Sequence, residues 1–473
     1  MYNDYLYKKS IKIRWIFIRL PKEFPPYFFV LHDMTNNRIP LVVEKDFRRS
    51  IKKITKINKN TIDLIIMQTY TIFNLIQQVL LTSNVGEKDL DLNFYSAGAK
   101  LFFYRENEVP AELCYSLCEI DLITFEVSAM KVGIIGATGY GGLEIIRFLH
   151  NHKTVEQIEL FTSSEEGVVF SSKFGHLVNI ADTPLQKIDY EALEKFDVIF
   201  TSTPSGVTSE LLPPLIGKGP KLIDLSGDFR LKDFTSYEQW YGKKAAPIDA
   251  IAKSVYGLTE WNAENVKHAP LIANPGCYPT AVLLSLLPLL KDRLIDPSFL
   301  VIDAKSGISG AGNKPSQATH YSETNDNFSI YKTNTHQHIP EIEQAISMFA
   351  GIDATISFNT HLVPMTRGIL STAYAPVMPG VTEAQLVACL QETYEKQPFV
   401  RIITDANGLA TNRVKGSNYC DIFVKVDSRT NRATIVSVID NLVKGAAGQA
   451  IQNMNVQFDL PQTTGLDVVP LFI

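Results

Sequence analysis

The chain has 473 residues, with 45 Lys and Arg against 50 Asp and Glu, a formal net charge of −5, and 45% hydrophobic residues. That length allows two or three domains with ample core, and the near-balanced charge excludes a nucleic-acid binder acting through a strong basic surface. The five cysteines, Cys114, Cys118, Cys277, Cys389 and Cys420, are scattered and odd in number, which excludes a disulfide framework and leaves Cys114 and Cys118 without a second pair for a zinc site.

A reducing, cytoplasmic setting is therefore expected, with no metal. Residues 1–129 stand apart in composition. They are rich in Ile, Lys, Asn, Phe and Tyr, and hold glycine only at Gly86 and Gly98. The apolar run over 62–81 has membrane-spanning length but carries Asp63, Gln68, Asn74, Gln77 and Gln78, so a packed or interfacial helix is expected rather than a span. Arg19, Lys22 and Glu23 break the N-terminal apolar stretch, which is not a secretory signal. Residues 1–129 read as an extension of unknown role outside the domains that follow, either translated upstream sequence or a loosely packed appendage. An accessory domain is the alternative.

From Met130 the pattern changes. Lys131–Ile135 is a short apolar strand. Gly136-Ala-Thr-Gly139-Tyr-Gly-Gly142 follows, and then the amphipathic run Leu143–Leu149. Strand, glycine turn and helix form the dinucleotide-binding arrangement, with the pyrophosphate at the helix start. The spacing is Gly-x-x-Gly-x-x-Gly rather than Gly-x-Gly-x-x-Gly. Gln157–Phe161 is the next strand, ending in Thr162, Ser163 and Ser164. Small hydroxyls at this position leave room for a ribose 2′-phosphate, which favours NADP; Glu165 and Glu166, folding back to the ribose, would favour NAD. Asp197–Ser202 and Lys221–Leu225 read as buried parallel strands. Their loops, Thr203-Pro204-Ser-Gly206 and Ser226-Gly-Asp-Phe-Arg230, lie at the strand ends where ligands bind.

Pro270–Ala273 is a further strand, and Asn274-Pro-Gly-Cys277 leads from it into the helical run Ala281–Leu290. A thiol at a helix start feels the positive end of the dipole, which favours the nucleophilic thiolate. The plainer reading of a lone cysteine, a small buried hydrophobe, does not account for the strand-Cys-helix setting. Beyond it, Phe299–Asp303, Ala354–Asn359, Ile369–Tyr374, Cys420–Val426 and Ala433–Ile439 predict a mixed or antiparallel second sheet, and a last helix spans roughly 442–454. The fold expected is α/β, a Rossmann-type NADP-binding domain plus an α+β domain with a mixed sheet, after an atypical N-terminal extension.

Six stretches in order carry a resemblance. They are Gly136–Gly142, Ala273–Thr280, Ser306–Gly312, His336-Gln-His-Ile-Pro-Glu-Ile342, His361-Leu-Val-Pro-Met-Thr-Arg-Gly368 and Asp440–Gln449. Over residues 130–473 the chain resembles the N-acetyl-gamma-glutamyl-phosphate reductases of arginine biosynthesis, within a superfamily that includes aspartate-semialdehyde dehydrogenase. The resemblance implies a cofactor domain over 130–276, completed by a C-terminal helix over 441–473, and a catalytic and dimerisation domain over 277–440. It implies a small-molecule acyl phosphate reduced by NADPH through a thioester on Cys277, in a soluble homodimer or homotetramer with no nucleic-acid or membrane partner.

The roles it implies are specific. His336 is the catalytic proton carrier, and Arg230, His338 and Arg367 bind substrate. Gly136, Thr138, Gly139, Tyr140, Gly142, Ser163, Ser164, Pro204, Ser309, Gly310, Asn441 and Lys444 line the cofactor. His361 is structural. The rival readings are a reductase of another acyl phosphate, aspartyl or carrier-linked aminoadipyl, and a binding protein on a degenerate oxidoreductase fold.

Overall fold

The structure, a computed structural model, describes residues 130–472, and before them only the backbone of four three-residue strands. Of these, Ile13–Trp15 pairs antiparallel with Ile123–Phe125, and Phe28–Val30 with Val42–Glu44. The chain divides into two units, residues 1–128 and 129–473. The apolar run at 62–81, Cys114 and Cys118 lie outside the described residues.

The first sheet is built from strands β1 (Met130–Ile135), β2 (Val155–Thr162), β3 (Gln186–Lys187), β4 (Val198–Thr201), β5 (Lys221–Asp224), β6 (Ser254–Tyr256) and β7 (Leu271–Ala273). Its order is β6-β7-β5-β4-β1-β2-β3, and every pair is parallel. Parallel strands covered on both faces need continuous apolar runs, and Val198–Phe200 and Leu222–Ile223 are fully buried. Chain order reverses between β1 and β4, which places the ligand crevice there. Helix α1 (Tyr140–Leu149) returns from β1.

Helix α2 (Cys277–Lys291) leaves β7 after a three-residue turn and is buried from Tyr278 to Leu290. It has no polar face to show solvent, as its unbroken apolar sequence requires. Pro288 cannot donate to the Leu284 carbonyl. The Tyr394 hydroxyl donates to that carbonyl instead, at 2.6 Å, so the helix passes the proline without an orphaned acceptor.

The second sheet contains β8 (Leu300–Ser306), β9 (Ser329–Tyr331), β10 (Ile356–Leu362), β11 (Ile369–Pro376), β12 (Val400–Ile402), β13 (Cys420–Asp427) and β14 (Arg432–Ile439). Its order is β9-β10-β8-β11-β14-β13-β12. It is mixed: β8 and β10 run parallel, as do β12 and β13, and the other pairs are antiparallel. Alternate residues of β8, β11 and β14 share one core with α2, helix α3 (Ile339–Ala350) and helix α4 (Glu383–Tyr394).

The last helix departs from its predicted form. Val443–Ala447 is a π-turn, with the N–H groups of Gly445 and Ala447 bonding five residues back, and helix α5 (Gly448–Gln457) follows it. Ala450, Ile451 and Met454 of α5 pack in one core with β1 and α1.

Candidate active site

Three strand ends of the first sheet converge on the turn Asn274–Gly276. The Asn274 N–H donates to the Asp224 carbonyl at the end of β5. Arg230 Nε donates to the Asn274 carbonyl at 2.8 Å, and another Arg230 nitrogen donates to the Leu225 carbonyl at 2.8 Å. From α5, Asn453 Nδ2 reaches Asn274 Oδ1 at 3.2 Å, and Asn274 Nδ2 donates to the Ala446 carbonyl at 3.1 Å. The turn that presents Cys277 is thus fixed from four sides.

Glu341 closes the cluster, and the sequence reading gave it no role. It is fully buried in the first turn of α3. Its Oε1 accepts from the Gly276 N–H and from the Tyr256 hydroxyl, both at 2.8 Å. Its Oε2 stands 3.5 Å from Arg230 and 3.9 Å from His338 Nε2. A carboxylate in the first turn of a helix is ordinary. Only the fold shows that this one ties α3 to the turn before the thiol.

Cys277 is half-buried, whereas Cys389 and Cys420 are buried. Burial pushes the Cys277 thiol up to about 11, against the pull of Arg230 and of the Tyr278 and Cys277 N–H groups. This corrects the expected resting thiolate: the helix start and Arg230 are present, but desolvation outweighs them. Gly445 of the π-turn faces the thiol side. A Cβ there would stand 2.7 Å from the Cys277 Cβ.

His336 and His338 are adjacent, with ring centres 4.7 Å apart. Burial, then Lys332, lowers His336 to about 3; burial, then the neighbouring His336, lowers His338 well below the usual range. Both rings are neutral at physiological pH. The His338 N–H donates to His336 Nδ1 at 3.2 Å, which puts the His336 ring proton on Nε2. His338 Nδ1 is buried with no hydrogen-bond partner among the described residues. Its Nε2 would lie 2.6 Å from a Cβ on Gly276, so this ring abuts the residue before the thiol.

Asp228 organises the loop after β4. It accepts from the N–H groups of Gly206 and Ser209 and from the hydroxyls of Thr208 and Tyr237, at 2.7–2.9 Å. Exposed Pro204 lies in this loop, with the Thr203 hydroxyl buried and unpartnered beside it.

The glycine loop fits a dinucleotide. Gly136 has φ +84°, and a Cβ on it would strike the Ser202 carbonyl at 2.4 Å. A Cβ on Gly142 would strike Ala137 at 2.5 Å, whereas one on Gly139 would meet no protein atom nearer than 3.7 Å. Among the described residues no side chain caps α1, so no protein side chain competes for its first N–H groups where a pyrophosphate would bind. Tyr140 begins α1 and is exposed. Opposite, Asn313 Nδ2 donates to the Thr138 carbonyl at 2.8 Å. Asn441 bridges the Gly368 N–H (2.7 Å) and the Ser309 hydroxyl (3.0 Å), with Gly310 beside it. Ser163 and Ser164 are exposed at the end of β2.

Two expected site residues lie elsewhere. Lys444 is fully buried, 2.5 Å from Glu260 Oε1 and 2.7 Å from Gln452 Oε1. It is a core ion pair, not a cofactor ligand. Arg367 points away from the thiol cluster into Glu144 and Asp440, with contacts of 2.9–3.2 Å. Its fork is filled by protein carboxylates, not left open for a substrate anion. His361 pairs with Asp303 at 3.1 Å on the second sheet. Among the described residues no cluster of three or more His, Cys, Asp or Glu could hold a metal, and no helix is long and apolar enough to cross a membrane.

Two family models match the chain: the semialdehyde dehydrogenase NAD binding domain over residues 131–269, and the semialdehyde dehydrogenase dimerisation domain over 277–441. Solved structures agree on the fold. The aspartate semialdehyde dehydrogenase II of Vibrio cholerae superposes with a TM-score of 0.55 at 15% identity, covering 70% of this chain and 99% of that one. The Candida albicans aspartate semialdehyde dehydrogenase with NADP gives 0.52 at 17% identity, covering 70% and 98%. A semialdehyde dehydrogenase is the class that fold and site define. Within it, the N-acetyl-gamma-glutamyl-phosphate reductase of Geobacillus kaustophilus (strain HTA426) is 51% identical over 343 residues, which are 72% of this chain and all of that protein. That of Bacillus subtilis (strain 168) is 50% identical over 344 residues, with the same coverage. The chain belongs to the N-acetyl-gamma-glutamyl-phosphate reductase family.

Proposed function

We propose that this chain reduces N-acetyl-gamma-glutamyl phosphate to N-acetylglutamate 5-semialdehyde and phosphate, through a thioester on Cys277. The observation that carries the reading is the turn Asn274–Gly276. Arg230, Glu341 and α5 all fix it, and it presents a half-buried thiol beside two neutral imidazoles.

The Cys277 thiol gives up its proton as its sulfur attacks the acyl carbon. The C–O bond to the phosphate breaks, and phosphate leaves with the electron pair. His338 accepts the proton: its neutral ring abuts Gly276, the residue before the thiol. His336, with its proton on Nε2, serves as a hydrogen-bond donor to the substrate. This exchanges the two roles that the resemblance implied. Arg230 commits two donors to backbone carbonyls and a third, at 3.5 Å, to Glu341, and retains the remaining two N–H groups for a phosphate or carboxylate. When bound, NADPH supplies the hydride that reduces the thioester carbon. The carbon–sulfur bond then breaks, releasing the aldehyde and returning the thiolate, which recovers its proton from His338.

NADP is favoured over NAD. Lys173 pairs with Glu165, which gives that carboxylate a partner other than a ribose hydroxyl. For assembly we propose a homodimer through the open face of the second sheet, where Leu370, Tyr374, Phe423 and Val436 lie on adjacent strands opposite the helices.

The reverse reaction is the test. The protein should reduce NADP in the presence of N-acetylglutamate semialdehyde only when phosphate is supplied. Higher kcat/KM on aspartate semialdehyde would move the substrate assignment to the rival acyl phosphate. No substrate-dependent reduction with any semialdehyde would favour a binding protein.

A further inference from the structure

We propose that Arg367 is a positioning residue that sets the spacing between the two walls of the dinucleotide pocket. The inference rests on the cofactor reading above and deepens it. One wall is the glycine loop with the start of α1. The other is the loop Ser306–Asn313 from the second sheet. A hydrogen bond from Asn313 to Thr138 joins them directly.

Behind this contact lies a clasp. Arg367 donates through Nε and one terminal nitrogen to Asp440, and through both terminal nitrogens to Glu144. Four of its five N–H donors are engaged, in two forked pairs, which a lysine could not reproduce. Glu144 lies on α1, one turn beyond the glycine loop. Arg147 holds it from the same helix, at 2.7 Å, and also donates to the Gly416 carbonyl. Desolvation opposes the Glu144 charge, yet the two arginines keep its carboxyl below the usual range. Asp440 is fully buried and accepts from the N–H groups of Gly416, Leu442 and Val443. It therefore belongs to the π-turn that carries Gly445 against Cys277.

The backbone of Arg367 backs the opposite wall. The Ser309 N–H donates to the Thr366 carbonyl, and the Gly307 N–H to the Gly368 carbonyl. A Cβ on Gly307 would strike the Arg367 nitrogen at 2.8 Å, so the two segments are in close contact. Arg367 thus joins the cofactor helix and the turn behind the thiol through its side chain, and its backbone segment backs the Ser306–Asn313 loop. Charge and forked geometry fix their separation.

The test compares Arg367→Gln, Glu144→Gln and the double variant with the native protein. NADPH affinity is read by direct titration, and turnover by both substrate KM values and kcat. Removing the clasp should weaken NADPH binding about tenfold or more. The KM for the acyl phosphate should stay the same, and kcat should fall by less than about threefold. The double variant should lose clearly less than the sum of the two single losses, because the Arg367–Glu144 contact is common to both substitutions. Glu144→Gln keeps the side-chain shape and guards against a variant that fails to fold. A raised acyl-phosphate KM with unchanged NADPH affinity would overturn the proposal and return Arg367 to the substrate. Additive losses in the double variant would also overturn it. If the native protein bound no NADPH, the cofactor reading would fall together with the clasp. Native binding with unaltered variants would overturn the clasp alone.

Discussion

The Cys277 thiol keeps its proton at rest, and Glu341 contributes to that. Desolvation raises the thiol to about 11, so the protonated form dominates at neutral pH. The Glu341 charge raises this value, while Glu341 also holds the Gly276 N–H and faces Arg230 and His338. Glu341→Gln should therefore have opposite effects on two measurements. Alkylation of Cys277 by iodoacetamide at pH 8 should speed up, because losing the negative charge lowers the thiol pKa. Turnover should fall about a hundredfold, because the proton acceptor and Arg230 lose their orientation. A parallel fall in both would show that Glu341 acts only on the fold. Cys277, Arg230 and both histidines were singled out in the sequence because they stood in short motifs, and the fold gathers them around the turn Asn274–Gly276. Glu341 and Asp228 were quoted in those motifs and still escaped notice. Their roles depend on partners up to 111 residues away. Lys444 and Arg367 misled for the same reason: sequence shows a cation but not the buried carboxylate that occupies it.

At the level of elements, strand and helix periodicity gave most of the architecture. Parallel strands announce themselves as apolar runs, and the glycine-punctuated ends mark the crevice. The π-turn at Val443–Ala447 was not legible, since Leu-Val-Lys-Gly-Ala-Ala continues a helical pattern without a break. Its cause is tertiary. The extra residue brings Gly445 against Cys277, where only a glycine fits; π-turns often mark functional sites for this kind of reason. Gly445→Ala would place a methyl 2.7 Å from the Cys277 Cβ and 3.3 Å from Ile439. It should destabilise the protein by about 1–3 kcal/mol and abolish most turnover while NADPH still binds. Full activity with an unchanged melting temperature would mean that the thiol's position tolerates a shift of the turn.

At the scale of the whole chain, every residue given a role lies in the unit that starts at Ala129, and the relatives align over 72% of the chain. A chain beginning at Met130 should match the full protein in kcat and melt within about 3 °C of it; insolubility would make residues 1–129 a structural partner. The covalent step is the central claim, and one measurement tests it without any cofactor. Mix the protein with N-acetyl-gamma-glutamyl phosphate in the absence of NADPH, then follow phosphate release and the mass of the Cys277 peptide. The account predicts a rapid burst of one phosphate per subunit, with the N-acetylglutamyl group on Cys277, and neither signal in Cys277→Ser. No burst, or an equal burst from Cys277→Ser, would contradict it.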